Sequence, residues 1–547
     1  MEHSTSPVTR VWNLLREEKS DITAIYFFAI LGGLIQLSLP VGVQAIIGFV
    51  LGGTLSASLT VLITVLVAGV LLSGMMQINQ MKIIERIQQK IFVKYAYAFA
   101  DRIPKLDLKK IDAFYLPELV NRFFDTVPLQ KSISKLLLDL PVAMIQILFG
   151  LILLSFYHPF FILFGVLLLL LLWLILHVTG GRGLESSLTE SRYKYALAGW
   201  FEEIARLIKS FKFSSGAGLH LKKADERTIG YLNARTSHFS VLLLQYRTLV
   251  VFKVMITAAL LIAGVILLLN QQINIGQFVA AEIIILIVIN SVEKIIVNLD
   301  SVYDVLTAVE KIGKLIDKPL ETSGKYEIAN SIALSVEAQN MSFGYEAERQ
   351  IIQNLTFQVS AGEKACITGN DGSGKSTLLK LLTGGYKDFS GSLLINDIPI
   401  GNYNLASLRE RMGILFSQEN VFHGTLWENI TMGKPVIDKE HINYLSGLTG
   451  LNAFLSSLPL GYDTELDPTG NRLPRNVIQK ILLVRALAHK PQLLLMEEPW
   501  LGIEEQYRVD IQHMLLQLKD TTVIIAANDE NFAARCNQTI NLATLIK

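Results

Sequence analysis

The stretch Gly369-Asn370-Asp371-Gly372-Ser373-Gly374-Lys375-Ser376-Thr377 fits the pattern G-x-x-x-x-G-K-[ST] of a phosphate-binding loop. The apolar segment 365–368 before it predicts a strand, and the leucine-rich segment 378–382 after it predicts a helix. Such a loop works only when its backbone N–H groups surround the phosphates at a helix N-terminus, so this frame argues against a chance glycine-rich turn. The pattern assigns Lys375 to the β- and γ-phosphates and Ser376 to Mg²⁺.

The composition predicts a membrane protein of several domains. The chain has 547 residues, is 51% hydrophobic and has a mean hydropathy of +0.41, which is more apolar than a soluble enzyme. Its net charge of +1 gives no basic field, so we expect no nucleic-acid partner. Cys366 and Cys536 offer neither a disulfide framework nor zinc spacing, and we expect both to be small buried apolar residues.

Six apolar segments lie between residue 21 and about residue 300, and each is long enough to cross about 30 Å of hydrocarbon. They are 22–51, 55–80, 133–157, 159–180, 241–269 and 275–299. A single segment of this kind is also typical of a buried helix in a soluble protein. Six of them in one chain predict a membrane domain of six spanning helices.

Charge placement predicts the topology. The short links 52–57, 157–159 and 270–276 contain no Lys, Arg, Asp or Glu, whereas the long links 81–132 and 181–240 are rich in Lys and Arg. The positive-inside rule then places the long links and both termini in the cytosol. We therefore expect a multi-pass membrane protein, surrounded by the lipid bilayer.

Each long link has helical periodicity with one break, at 112–117 and at 214–218, where we expect a turn towards the cytosol. Ahead of the first span, residues 10–19 predict an amphipathic helix on the membrane surface. Its apolar residues are expected to face lipid; they are Val11, Trp12, Leu14 and Leu15.

Polar residues inside the spans leave two interpretations open. Glu282 indicates either a transport pathway or a structural polar contact, and Lys253, near a cytosolic end, is expected to extend its ammonium to the membrane surface. Four glutamines either line a cavity or form hydrogen bonds between helices; they are Gln36, Gln44, Gln77 and Gln146.

The pattern changes after the last span. Residues 311–333 predict a linker, and from about residue 334 short apolar strands alternate with helices, which is typical of an α/β domain. We therefore expect an interfacial helix over 1–20, a six-helix transmembrane domain over 21–310, this linker, and a nucleotide-binding domain over 334–547. The predicted fold class is an α-helical membrane domain joined to an α/β P-loop domain.

Carboxylates follow two further predicted strands of the α/β domain. The strand 493–496 ends in Glu497-Glu498-Pro499, and the strand 522–527 ends in Asn528-Asp529. Carboxylates at the carboxyl end of a strand beside a phosphate loop are placed to hold Mg²⁺ and orient a water molecule.

Tyr345 precedes the loop, and Gln418 follows the predicted strand 413–417. This order of features resembles the ATP-binding cassette, and the six spans before it resemble the membrane half of an ABC exporter. The membrane half is most similar to exporters of type I secretion and bacteriocin export, through the segment 231–235, His238-Phe239 and a long fifth span.

The resemblance implies the bacterial cytoplasmic (inner) membrane as the location and ATP and Mg²⁺ as ligands. It also assigns a role to each matching residue. Tyr345 stacks on adenine, and Gly369 to Thr377 hold the phosphates. Ser376 and Glu497 ligate Mg²⁺, and Gln418 senses the ion at the same site. Glu498 polarises the attacking water, and Asn528 occupies the switch position. The breaks at 112–117 and 214–218 become the turns that dock on the cassette.

This chain departs from the family at several of these positions. The signature Leu-Ser-Gly-Gly-Gln aligns with Leu473-Pro474-Arg475-Asn476-Val477, in a register that the segment 480–487 maintains. Pro474 lacks both the hydroxyl and the N–H group, and Arg475 either replaces lost phosphate donors or blocks close approach. Glu497 replaces an aspartate, Asn528 replaces a histidine, and the loop 501–504 is altered.

The loss of one oriented donor to a developing oxyanion typically costs about 10²–10³ in rate. We therefore expect intact nucleotide binding, with hydrolysis that is slow or depends on a partner. One chain has one cassette, so the resemblance implies pairing with a second half-transporter, as a homodimer or a heterodimer. A peptide, a small protein or a lipid remains open as the exported substrate, and so does a periplasmic adaptor. The alternative is a membrane-anchored ATP-binding sensor or regulatory subunit with little or no turnover.

Overall fold

The structure is a computed structural model that describes residues 6–53, 57–112, 114–214, 218–328, 333–346, 349–435, 437–466 and 473–542. It divides into two compact units. The first comprises Met1–Lys105 and Phe114–Lys318, and the second comprises Leu106–Ala113 and Pro319–Lys547.

The first unit and its link to the second are helical. Their helices are α1 (Pro7–Glu17), α2 (Lys19–Leu51), α3 (Ala57–Arg102), α4 (Leu108–Ile111), α5 (Leu116–Val120), α6 (Thr126–Ser155), α7 (Phe160–Arg206), α8 (Ile208–Phe213), α9 (Leu219–Leu269), α10 (Ile275–Val297) and α11 (Leu299–Ile316). Six long helices, counted over the described residues, are apolar enough to cross a membrane, and each overlaps one of the expected spans. The predicted six-span membrane domain is therefore confirmed.

The spanning helices continue well beyond their apolar stretches, as their periodicity predicts. In α3 the buried residues recur on one face as far as Phe99, because Ile84, Ile87, Ile91 and Tyr95 also pack inward. They form one core with residues of α1, α6 and α11. The helix α11 extends to Ile316, inside the region predicted as linker, because Ile312 and Leu315 are buried in this core.

The N-terminal helix differs from its prediction in position and in orientation. It begins at Pro7, where Ser6 caps its first turn, and it ends at Glu17. Leu14 is only 4% exposed and packs in the protein core, whereas Trp12 is 67% exposed. Ion pairs from Arg10 to residues of α11 and its C-terminal end fix this arrangement. The prediction that Leu14 faces lipid was therefore wrong, because the core of the unit covers that side of the helix.

Glycines allow close approach between the long helices. A Cβ atom on Gly183 of α7 would lie 2.2 Å from Cζ of Tyr303 in α11, and one on Gly150 of α6 would lie 2.7 Å from Val288 of α10. Only a residue without a side chain fits at either crossing. The helix packing of this unit therefore depends on these positions.

The second unit is an α/β domain, as predicted. Its strands are β1 (Val336–Phe343), β2 (Ile352–Val359), β3 (Lys364–Thr368), β4 (Ser390–Ile395), β5 (Ile398–Pro399), β6 (Met412–Leu415), β7 (Gly424–Thr425), β8 (Glu465–Leu466), β9 (Leu493–Glu497), β10 (Thr522–Ala526) and β11 (Gln538–Asn541). They form an antiparallel sheet in the order β2-β1-β4-β5, a parallel sheet in the order β11-β3-β10-β9-β6, and a small β7-β8 pair. Because β3, β10 and β9 are neighbours, their carboxyl ends meet at one edge.

Helices cover the two sheets of the second unit. They are α12 (Lys375–Leu382), α13 (Leu405–Glu410), α14 (Leu426–Thr431), α15 (Lys439–Leu448), α16 (Leu451–Leu455), α17 (Arg475–Leu487), α18 (Glu505–Gln517) and α19 (Glu530–Ala533). The core between sheet and helices is fully buried; Leu378, Leu495 and Ile524 are completely inaccessible to solvent.

The first predicted turn, at 112–117, directly follows helix α4, which belongs to this unit. Helix α4 packs on the α/β domain, where Lys109 Nζ lies 3.1 Å from Asp388 and the Tyr386 hydroxyl donates to Asp112 Oδ2 at 2.9 Å. Ala113, also part of that prediction, lies outside the described residues. So do residues 215–217 of the second predicted turn, which follows α8.

Candidate nucleotide-binding site

The loop between β3 and α12 has the backbone shape that phosphate binding requires. Gly369 has a φ of +149° and Gly374 a φ of +97°, both in the region that favours glycine. A Cβ atom on Gly369 would lie 2.6 Å from Ser373 Oγ, so a larger residue would fill the loop. The chain then enters α12 at Lys375, so that N–H groups at the helix start face the loop.

Lys375 places its charge inside this loop. Its ammonium donates to the carbonyl oxygens of Gly369 at 2.6 Å and Asn370 at 3.2 Å. Asp371 is fully exposed, with its carboxylate 4.0 Å from the same ammonium. Ser373 Oγ is buried and has no hydrogen-bond partner among the described residues. This unpartnered hydroxyl and the positive charge fit a phosphate group.

Oxygen atoms suited to Mg²⁺ lie beside the loop. The Ser376 hydroxyl donates to Glu497 Oε1 at the end of β9, and the backbone N–H of Ser417 donates to Glu497 Oε2 at 3.0 Å. Mg²⁺ prefers hydroxyl and carboxylate oxygens of this kind. Gln418, one residue further on, is exposed. The backbone of its neighbour therefore makes the contact with the site.

Glu498 and Asn528 meet at the same edge. Glu498 has a φ of +43°, and its Oε1 accepts from the backbone N–H of Asn528 at 3.4 Å. The Asn528 side-chain oxygen in turn accepts from the backbone N–H of Gly369 at 3.4 Å. Burial raises the pKa of the Glu498 carboxyl above its ordinary value, and the nearby Glu497 charge acts in the same direction. The edge therefore holds a carboxyl group that is easier to protonate than usual.

Tyr345 lies against the helical end of the loop. Its hydroxyl is 3.1 Å from Thr377 Oγ1, and its ring makes edge contacts with Phe343 and Tyr386 at centroid distances of 5.3 and 5.4 Å. The structure thus places the expected adenine-stacking residue beside the phosphate loop, with its ring half-buried.

The altered signature segment contacts its own chain. Pro474 caps α17, and Leu473 before it is half-buried. The exposed Arg475 donates from Nη2 to the carbonyl oxygen of Ser417 at 2.6 Å. Asn476 Nδ2 lies 3.4 Å from Glu504 Oε1. Arg475 therefore joins the segment that follows β6 to the start of α17.

Sequence reasoning missed two residues of α17 that support this region. Gln479 donates from Nε2 to the carbonyl oxygens of Glu498 and Pro499, each at 3.1 Å, and so fixes the backbone at the predicted base. Lys480 is 5% exposed, and its ammonium lies 2.7 Å from Glu504, which holds the pKa of that carboxyl below its ordinary value. The opposite charges of Lys480 and Glu504 are visible in the sequence, but the two residues are too far apart along the chain for a local pattern to pair them.

Comparisons with known proteins agree with this geometry. Residues 352–501 match the ABC transporter family. A multidrug efflux ATP-binding/permease protein of Mycobacterium tuberculosis is 33% identical over 217 residues, which cover 39% of this chain and 18% of that protein. The cyclolysin secretion/processing ATP-binding protein of Bordetella pertussis is 25% identical over 313 residues, which cover 57% of this chain and 44% of that protein. The matches span less than half the length of these curated relatives.

A solved structure extends the similarity to nearly the whole chain. A bacterial Atm1-family ABC exporter with ATP bound matches with a TM-score of 0.85, covering 96% of this chain and 94% of that chain. The two sequences are 19% identical, so this likeness is one of fold. Within this chain, the match to the ABC transporter family is confined to residues 352–501. In fold, and in the order of its membrane and α/β domains, the chain is similar to that exporter.

Proposed function

We propose that this chain is one half of an ATP-driven exporter in a bacterial cytoplasmic membrane, with its α/β domain in the cytosol. One observation carries the proposal. A single chain joins six span-length helices to an α/β domain with a phosphate loop. Ser376 of that loop lies with Glu497 and Glu498 at one edge of the parallel sheet. Two such halves would pair, and ATP would be enclosed between the phosphate loop of one half and the signature segment of the other.

Each residue at this edge of the parallel sheet, and in the phosphate loop beside it, would have its own role in ATP binding and hydrolysis. Lys375 and the loop N–H groups would neutralise the phosphates, while Tyr345 would stack on adenine. Ser376 and Glu497 would hold Mg²⁺, which neutralises charge on the β- and γ-phosphates when bound. Glu498 would accept a proton from the water that attacks the γ-phosphate.

Two further residues would report on the γ-phosphate. Gln418 would respond to the occupied metal site through the Ser417 contact with Glu497. Asn528 would donate its side-chain amide to the γ-phosphate, but an amide cannot carry a proton as histidine does. This difference contributes to the slow hydrolysis that we propose.

Nucleotide binding can drive transport only if ATP has different affinities for the two states of the membrane domain. ATP that bridges two subunits would supply this difference, because its second set of contacts exists only in the closed pair. Hydrolysis would then remove the bridge and reset the spans. A second half-transporter, identical or different, is therefore a required partner in this proposal.

The substrate is proposed only by class. One relative is named for multidrug efflux and another for cyclolysin secretion and processing, so relatives of the cassette serve chemically different cargo. A peptide, a small protein or a lipid fits a membrane-embedded path, and a periplasmic adaptor would accompany a secretion role. Stimulation of ATP hydrolysis by candidate cargo would decide among these classes.

The direct test uses the purified full chain in lipid nanodiscs. We expect it to bind Mg-ATP, Lys375→Ala to lose that binding, and Glu498→Gln to keep the binding while losing hydrolysis. If the wild-type chain does not retain Mg-ATP, or if Lys375→Ala binds equally well, the exporter proposal fails.

A second candidate is an ATP-binding sensor that gates or scaffolds a partner without turnover. The contact from Arg475 to Ser417 favours it, since this side chain already has a partner within its own chain. A sensor would bind ATP tightly and show no hydrolysis even with a complementary subunit. In that case Glu498→Gln would leave its function unchanged.

A further inference from the structure

A polar cavity of about 140 Å³ lies among α2, α3, α6 and α10 of the membrane unit. Amides and charges provide much of its wall, which is unusual for a site within apolar spans. The amide and charged side chains in its wall are those of Gln36, Gln77, Gln80, Gln146, Asp139 and Lys294.

Residues from three of the four helices place one end of this cavity at the same depth. Lys294 lies in the last turn of α10, Gln80 lies at the end of the apolar segment 55–80, and Asp139 lies near the start of the segment 133–157. Each of these is the end that the proposed orientation makes cytosolic. The cavity therefore lies in the inner half of the membrane domain.

Hydrogen bonds fix part of the wall. Ser291, which is 1% exposed, donates to Gln146 Oε1 at 2.7 Å, and Gln146 Nε2 donates to Gln36 Oε1 at 2.7 Å. Gln80 Nε2 donates to the carbonyl oxygen of Ile25 at 3.0 Å. By contrast, no hydrogen bond among the described residues uses the Gln77 amide or the Gln36 side-chain N–H groups. These groups remain for a ligand.

Two opposite charges line the cavity without neutralising each other. Within the described parts of the chain, no ion pair joins Asp139 to Lys294 or joins either of them to another residue. Asp139 Oδ2 accepts a hydrogen bond from Asn298 at 3.1 Å, which leaves its charge uncompensated. Lys253, another lysine near this end of the spans, is paired with Glu293. Lys294 is exposed and Asp139 is half-buried, so a ligand in the cavity can reach both charges. Two opposite charges in one polar wall, neither of them ion-paired, point to a ligand that carries both complements.

We propose that the cavity binds a small solute that carries both an ammonium group and a carboxylate, as a free amino acid or the end groups of a short peptide do. Asp139 takes the ammonium, Lys294 takes the carboxylate, and Gln36 and Gln77 hydrogen-bond to polar groups between them. A volume of about 140 Å³ is several times what one water needs, so the cavity has room for a small solute. An apolar ligand would leave these charges and amides unpaired.

The test measures binding of named probes to the full chain in nanodiscs by calorimetry, without nucleotide. The probes are glycine, triglycine, N-acetyl-triglycine, triglycine amide and the doubly capped peptide. We expect a free zwitterion to bind, and we expect either cap to weaken binding tenfold or more. Glycine against triglycine separates the free amino acid from the peptide as the source of the end groups.

Variants of Asp139 and Lys294 test which end group of the probe each charge binds. Asp139→Asn should lose the penalty for N-acetylation but keep the penalty for amidation, and Lys294→Gln should show the reverse. Lys253→Gln, which also removes a lysine charge near this end of the spans, should bind like the wild type. The proposal is overturned if no zwitterion binds, if capped and free probes bind equally, or if both variants keep both preferences. The capped series on wild-type protein decides the matter if a variant fails to fold.

This inference rests on the proposed function only for the direction in which the solute moves. Because binding is measured without ATP, Lys375→Ala should bind triglycine as the wild type does. Binding of the probes without export would support the cavity site and contradict the exporter proposal. ATP-driven export without probe binding would support the exporter proposal and contradict the cavity site.

Discussion

Pro474 and Arg475 occupy the positions at which the resembling cassettes present a serine and a glycine. Pro474 has neither hydroxyl nor N–H to donate, and Arg475 donates to the carbonyl oxygen of Ser417 in its own chain. Pro474 therefore supplies no donor to a phosphate, and the contact with Ser417 holds the Arg475 side chain against its own chain. These two residues are therefore the physical basis for the slow hydrolysis that we propose.

Restoring the donors should restore the rate. We expect the double variant Pro474→Ser, Arg475→Gly to raise ATP turnover of the purified chain by about tenfold or more, since one oriented donor is typically worth about 10²–10³. Serine also suits the N-cap position of α17, which Pro474 occupies without a capping hydrogen bond. Phosphate release at saturating Mg-ATP measures the effect, with Lys375→Ala in the same background as the blank. A fall in turnover would show that Arg475 is itself a phosphate donor.

Glu498 predicts a pH dependence with a definite sign. Burial raises its pKa, and only the ionised carboxylate can accept a proton from water, so turnover should fall as pH decreases through this raised pKa. Glu498→Gln should leave a low residual rate without this acidic limb. Turnover against pH, with folding followed by circular dichroism, checks both statements. An acidic limb that persists unchanged in the variant would assign it to another group.

The sequence predicts which residues gather at the site much better than it predicts their contacts. The phosphate loop is a local pattern, and Glu497, Glu498 and Asn528 each follow a strand, so sheet topology brings them together. The contacts of Arg475 with Ser417 and of Lys480 with Glu504 depend on how α17 packs. Their partners are distant in sequence, so no local pattern predicts them.

The crossing of α7 and α11 provides a matched pair of glycines. A Cβ on Gly183 would overlap the buried ring of Tyr303, whereas one on Gly181 of the same helix meets nothing within 4 Å. We expect Gly183→Ala to lower the free energy of unfolding by about 1–3 kcal/mol through overpacking. Gly181→Ala should be neutral or slightly stabilising, because alanine favours helix. Thermal unfolding in detergent compares the two, and equal midpoints would contradict the close packing.

Helix α4 offers a second test, within the α/β unit. The hydroxyl of the buried Tyr386 donates to Asp112 Oδ2, and hydrogen bonds to charged groups contribute about 1.5–3 kcal/mol. Tyr386→Phe should therefore loosen residues 106–112, and hydrogen–deuterium exchange of their amides should accelerate by about tenfold. Tyr444→Phe, at an exposed tyrosine, is the control. Unchanged protection in Tyr386→Phe would show that other contacts hold α4.

Helices and strands could be predicted from the sequence where a single physical property, such as hydropathy, determines them. The length and hydropathy of the spans are set by the bilayer, and the buried strands β3, β9 and β10 are continuous apolar runs. The N-terminal helix was harder, because an apolar stripe does not reveal whether lipid or protein covers it. Arg10, Glu310 and Asp317 decide this through ion pairs that join distant parts of the chain.

The chain as a whole combines an intact phosphate loop and Glu498 with an altered signature segment. In a homodimer both nucleotide sites would contain that altered segment. In a heterodimer with a half-transporter that carries Leu-Ser-Gly-Gly-Gln, one site would join Lys375 and Glu498 of this chain to an unaltered signature. Retention of Glu498 favours the heterodimer, whereas Asn528 weighs against it.

Turnover in the two assemblies separates these arrangements. If pairing supplies the missing donors, the purified chain alone should hydrolyse ATP slowly, and adding such a half-transporter should raise turnover at least tenfold, because each oriented donor counts for about 10²–10³. Glu498→Gln in this chain should abolish the gain, since its carboxylate would be the base of the competent site. The control is Glu505→Gln, at the exposed first residue of α18, which should leave the gain unchanged. Brisk hydrolysis by the chain alone would instead mean that Arg475 replaces the signature donors and that two identical halves suffice.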